Sequence, residues 1–142
     1  MLGQPQNTAR RLRESGLRAT GTRVAILEAL EADRRHPTAE MVFESLRARL
    51  PSLSMSTVYA TLESFLARGL VRRIAGNSGR LRVDGTVQDH DHAVCRRCGE
   101  VFDIERSAIV RPESPSVLPP QLRVMSLHIE YEVLCAGCNA GG

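Results

Sequence analysis

Two Cys-x-x-Cys pairs, CRRC at residues 95–98 and CAGC at 135–138, hold all four cysteines of this chain and constrain its fold more than any other feature. Each pair has the bite of a zinc knuckle, with two thiolates on adjacent corners of a tetrahedron, and two knuckles close the coordination of one ion. The 36 residues between the pairs exceed ordinary finger spacing, so such an ion would tie two distant strands. Disulfides are the first alternative, disfavoured in a reducing compartment; a redox dithiol is the second, and it needs no second copy. We therefore expect Cys95, Cys98, Cys135 and Cys138 to hold a structural Zn(II).

Charge divides the chain as sharply as the cysteines do. All nineteen basic residues are Arg; residues 1–83 hold fourteen of them against seven acids, a net +7, and residues 84–142 hold five against nine, a net −4. A basic half fits a polyanion such as nucleic acid, because guanidinium donors match phosphate oxygens, although a solvated helical surface has the same composition. With 142 residues and 42% hydrophobic content there is enough apolar material for one domain or two small ones. No apolar run approaches a membrane span, and the N-terminus lacks the apolar core of a signal peptide. These features lead us to expect a soluble, cytoplasmic protein.

The basic half reads as short amphipathic helices. NTARRLRESG carries a cap at Asn7 or Thr8 and a stop at Gly16, and Thr20 opens a second helix with Val24, Leu27 and Leu30 on one face. In HPTAEMVFESLRARLP, Thr38 is the N-cap, Val42, Leu46 and Leu50 are the buried side, and Pro51 is the terminator. SLSMSTVYATLESFLARG follows, capped by Ser54 or Ser56 and ended by Gly69, with Val58, Leu62, Phe65 and Leu66 as the apolar stripe. Its other face would show Ser56, Thr57, Tyr59, Ala60 and Thr61, small polar groups suited to base edges and phosphates in a major groove. LVRRI and RLRV, joined by AGNSG, then form a hairpin bearing Arg72, Arg73, Arg80 and Arg82. This order predicts a winged helix-turn-helix over residues 1–83. Ser56, Thr57, Tyr59, Thr61 and the four arginines are its candidate DNA contacts.

His90 and His92 alternate on VQDHDHAVC, a segment of strand period, so both rings point to one face and Asp91 to the other. Isolated histidines are more often surface or core residues than ligands, and the residues alone leave that choice open. HPTAEMVFESL, SMSTVYATLESFLARGLV, HDHAVCRRCG followed by VFDIE, and the last Cys-x-x-Cys together resemble, in order and spacing, the ferric uptake regulator family of bacterial metal-dependent repressors. The resemblance covers about residues 8–138 and is nearest to the peroxide-sensing branch. It implies an α+β fold, with a winged-helix DNA-binding domain at 1–83 and a metal-binding α/β dimerisation domain at 84–142. It also implies a homodimer on double-stranded operator DNA and a regulatory Fe(II) or Mn(II) held by His36, Asp84, His90, His92 and Asp103.

Asp103 marks the branch, since iron sensors of the family usually have Glu there, and the resemblance then places peroxide damage on His36 and His90. The chain has no cysteine outside the knuckles, which disfavours a zinc sensor. An iron- or manganese-availability regulator is the main alternative. A non-haem iron oxygenase and a zinc-ribbon interaction module are further ones. Two departures from the family stand out. Where many members carry a histidine for a second site, this chain has Ser126 and Leu127, and His128 is one residue out of phase, on the other face of a strand. IVRPESPSVLPPQ has four prolines where members have a helix, so that helix should be short or broken, and we expect no second site.

Overall fold

The structure, a computed structural model, describes residues 5–74, 80–85, 90–105, 118–124 and 127–141. The hairpin turn at 75–79 and most of the proline-rich segment lie outside these residues; the described end of that segment, 118–121, is a turn closed by the Leu122 N–H on the Pro119 carbonyl, 2.9 Å. The chain divides into two compact units, Met1–Val87 and Gln88–Gly142. No helix among the described residues is long and apolar enough to cross a membrane.

The first unit begins with α1 (Pro5–Glu14) and α2 (Gly21–Ala32). Gly16, at φ +85°, ends α1 in the left-handed region that favours glycine, and the Leu17 N–H returns to the Leu12 carbonyl at 2.9 Å. Thr20 caps α2 by accepting from the Arg23 N–H. α3 (Ala39–Leu46) is capped by Thr38 and α4 (Met55–Ala67) by Ser54, each accepting from the backbone N–H three residues on. α3 stops at Leu46 and leaves Leu50 half-buried, short of the Pro51 expected to end it. Leu12, Ile26, Leu27, Val58, Leu62 and Phe65 are fully enclosed and form the centre of one aliphatic core.

β1 (Arg72–Arg73) and β2 (Val83–Asp84) pair antiparallel, with Arg72 opposite Asp84. The second arm also holds the chain entering α3, through Ala39 N–H to the Leu81 carbonyl at 3.2 Å and Val83 N–H to the Pro37 carbonyl at 3.3 Å. Helix, turn, helix and hairpin make a winged helix-turn-helix, the N-terminal part of an α+β fold. Asp84, expected to open the second half, belongs to this unit because its strand pairs with β1; the division falls after Val87. Gly85 follows β2 where a Cβ would meet Leu30 at 3.0 Å, so a larger residue would push β2 off α2.

In the second unit β3 (Asp91–Cys95) is the central strand, antiparallel to β4 (Val101–Ile104) and parallel to β5 (Glu130–Val133). The short helix α5 (Ala136–Asn139) follows β5. Because β3 and β5 run in the same direction with Cys95 opposite Val133, both Cys-x-x-Cys segments leave the sheet at the same end. This parallel pairing brings together two cysteine pairs with 36 residues between them in sequence.

Candidate functional site

Four sulfurs from Cys95, Cys98, Cys135 and Cys138 lie within 4.8 Å of one another. The Cys98 and Cys135 sulfurs are 3.7 Å apart, against about 3.8 Å for two corners of a tetrahedron with zinc–sulfur bonds of about 2.3 Å. The Cys95 knuckle turns through Gly99 at φ +76°, with the Gly99 N–H on the Cys95 carbonyl at 2.8 Å. Arg97 then reaches across to donate to the Cys138 carbonyl, also at 2.8 Å. Backbone N–H donation, first from Cys135, pulls the Cys95 thiol down to about 6, while the neighbouring Cys135 thiol pushes Cys138 up to about 12. Successive ionisation of crowded thiols is thus opposed unless a cation offsets it, and the geometry and chemistry of this donor set fit zinc.

A different donor set occupies the sheet. His92 lies directly opposite Asp103 across β3 and β4. Its Nε2 is 3.7 Å from Asp103 Oδ1, and the His90 Nε2 is 3.2 Å from the same oxygen. The two rings stand edge to face at 4.6 Å, both buried, while Asp103 is exposed. Asp91 points to the opposite face, as the strand period requires, and accepts from the Ile129 N–H at 2.9 Å. Two imidazoles and one carboxylate are hard, all-nitrogen-and-oxygen donors that fit Fe(II) or Mn(II) and contrast with the thiolates.

The remaining expected ligands, His36 and Asp84, adjoin each other in the first unit. Hydrogen bonds from residues 37–39 to the second hairpin arm put His36 Nε2 4.0 Å from Asp84 Oδ2, with both side chains 3% exposed. His36 has φ +58°, the one positive value outside glycine among the described residues, and it precedes a proline. A non-glycine residue in that region costs about 1–2 kcal/mol, and such strain concentrates at functional positions. Arg72 accompanies this pair, with its Nη2 3.7 Å from Asp84 Oδ2, a contact that no motif indicates. Of the positions named for a second site, Ser126 lies outside the described residues, and Leu127 and His128 are exposed.

The candidate DNA contacts divide. Ser56 and Thr57 are exposed at the start of α4, both hydroxyls within 3.0 Å of Ser54 Oγ, and Arg80 is exposed on the hairpin. Arg73 pairs with Glu63 at 3.1 Å, and Arg82 donates to the Arg35 carbonyl at 3.4 Å. Thr61 is a correction: at 7% exposure it faces the core, not the groove side. It lies three residues after Val58 and four before Phe65, inside the apolar stripe despite its hydroxyl. Tyr59 is half-buried, and its hydroxyl donates to Glu40 Oε1 at 2.7 Å, a contact from α4 to α3 that no helical period indicates.

The chain matches the ferric uptake regulator family over residues 14–132. It is 32% identical over 128 residues to the peroxide operon regulator of Bacillus subtilis, covering 90% of this chain and 88% of that one. The ferric uptake regulator of Pseudomonas aeruginosa, solved with manganese, superposes with a TM-score of 0.70 at 29% identity, covering 91% of this chain and 98% of that one. The Helicobacter pylori ferric uptake regulator shares the fold, with a TM-score of 0.73 at 20% identity over 97% and 95% of the two chains. Members of this family are transcriptional regulators that bind DNA and act as dimers, not enzymes. On the extent of these matches and on its winged-helix fold, the chain belongs to the ferric uptake regulator family of metal-dependent transcriptional repressors.

Proposed function

We propose that this chain is a homodimeric, operator-binding repressor that responds to peroxide, with the first unit reading DNA and the second carrying the dimer contact. The observation that carries the reading is the convergence of the His90 and His92 Nε2 atoms on Asp103, a nitrogen-and-oxygen set separate from the four thiols. In this reading Cys95, Cys98, Cys135 and Cys138 hold Zn(II), and His36, Asp84, His90, His92 and Asp103 hold Fe(II) or Mn(II). The name of the Bacillus subtilis relative supports the peroxide signal, as does Asp in place of Glu at position 103. Phe102 and Tyr131, exposed on either side of Ala93 on the sheet face away from the histidines, support burial against a second copy.

His36 and Asp84 are the ligands drawn from the DNA-reading unit, so occupancy of the five-residue set couples metal to DNA affinity. Bound Fe(II) would supply a one-electron reductant for peroxide, which Mn(II) does poorly. In the net reaction, one peroxide oxygen would replace a ring-carbon hydrogen of the His36 or His90 imidazole while the other leaves as water, and the oxidised ring is a weaker donor whose loss uncouples the set from the operator. The test uses a duplex selected from a random pool by the Mn(II)-loaded protein. The Fe(II)-loaded protein should release it after stoichiometric peroxide, while the Mn(II)-loaded protein keeps it. Release on chelation alone, with the Fe(II) form unmoved by peroxide, would replace this reading by a metal-availability regulator.

A further inference from the structure

Tyr59 stands on the second turn of α4 and has one hydroxyl proton, which is already committed within the protein. The acceptor, Glu40 Oε1 at 2.7 Å, lies in the first turn of α3, where the positive end of the helix favours a carboxylate. A short hydrogen bond to an ionised acceptor is roughly twice as strong as a neutral one, so a DNA phosphate or base acceptor would have to displace it. We propose that Glu40 is a positioning residue for the DNA-reading surface: it accepts the Tyr59 hydrogen bond and fixes the ring, so Tyr59 meets DNA through its ring and not as a hydrogen-bond donor. The proposal rests on α4 being the reading helix.

The same contact sets the charge states of both partners. The tie lowers the affinity of Glu40 for a proton and raises that of Tyr59, both chiefly through this hydrogen bond, as expected for an ionised acceptor and a neutral phenol. The exposed hairpin residue Arg80 acts electrostatically on both, pulling each toward its charged form. Through the Tyr59 hydrogen bond, Glu40 connects α3 to the reading helix.

The experiment measures the ratio of affinities for the selected duplex and for random DNA, using the full-length Mn(II)-loaded protein. Tyr59→Ala should lower the ratio about tenfold or more, and Tyr59→Phe and Glu40→Ala each by about threefold. The double variant Tyr59→Phe/Glu40→Ala should fall no further than either single one, because both remove the same tie. Glu40→Gln and Glu40→Ala remove the same charge, so recovery in Glu40→Gln reads the retained acceptor alone. If Tyr59→Phe loses as much as Tyr59→Ala while Glu40→Ala is neutral, the hydroxyl donates to DNA and the proposal is overturned. An unchanged ratio in Tyr59→Ala overturns the assignment of α4 as the reading helix and the proposal with it.

Discussion

Neighbouring residues on β3 serve opposite faces, and substitutions should separate their roles. Asp91 is fully buried and accepts from the Ile129 N–H beside the β3–β5 pairing. Asp91→Ala should cost about 1–3 kcal/mol of stability in denaturant, by leaving a part-buried donor without its acceptor, while the zinc content stays at one per chain. A loss of zinc without loss of stability would contradict this assignment. Cys98→Ser removes one of four sulfurs and should abolish zinc retention and dimerisation together, measured by metal analysis and sedimentation. A stable, zinc-free Cys98→Ser dimer would refute the structural role of the cluster. The cysteines were legible from spacing, and the alternation of His90, Asp91 and His92 from strand period. The Arg72 contact to Asp84 was not, because it depends on the hairpin register that places those residues opposite each other.

At the level of elements, capping residues located the starts of α2, α3 and α4, but the cap expected at Asn7 or Thr8 falls inside α1, which starts at Pro5, and α3 ends before Pro51. Thr20, Thr38 and Ser54 cap α2, α3 and α4 as expected. Ser54→Ala should therefore lower stability by about 0.5–2 kcal/mol, read from the thermal midpoint, with less effect on DNA discrimination than Tyr59→Ala. A stability change near zero would mean that the Ser54 bond to the Thr57 N–H contributes nothing. Reading α4 by residue type misassigned Thr61, whose position and not its polarity decides its burial. The parallel partner of β3 could not be read from the sequence either. Strand pairing across more than thirty residues is set by packing, and the cysteine pairs were the one hint that the two segments meet.

Across the whole molecule, charge polarity follows the division of labour: the arginine excess lies in the winged-helix half and the acid excess in the half with both second-unit donor sets. Phosphate contacts supply salt-dependent affinity, so Arg80→Ala should weaken selected and random DNA alike and reduce the slope of log affinity against log salt by about 1. A change confined to the selected duplex would make Arg80 a base-reading residue instead. In the proposed function peroxide is sensed at the nitrogen-and-oxygen donors while the thiols stay closed around zinc. The decisive measurement is peptide-mapped mass spectrometry of the zinc-containing protein loaded with Fe(II) or Mn(II) and given stoichiometric peroxide. The expected result is a gain of about one oxygen atom on the peptide holding His36 or His90, in the Fe(II) form alone, with zinc retained. Oxidation of Cys95, Cys98, Cys135 or Cys138 with loss of zinc, before either histidine is modified, would contradict it.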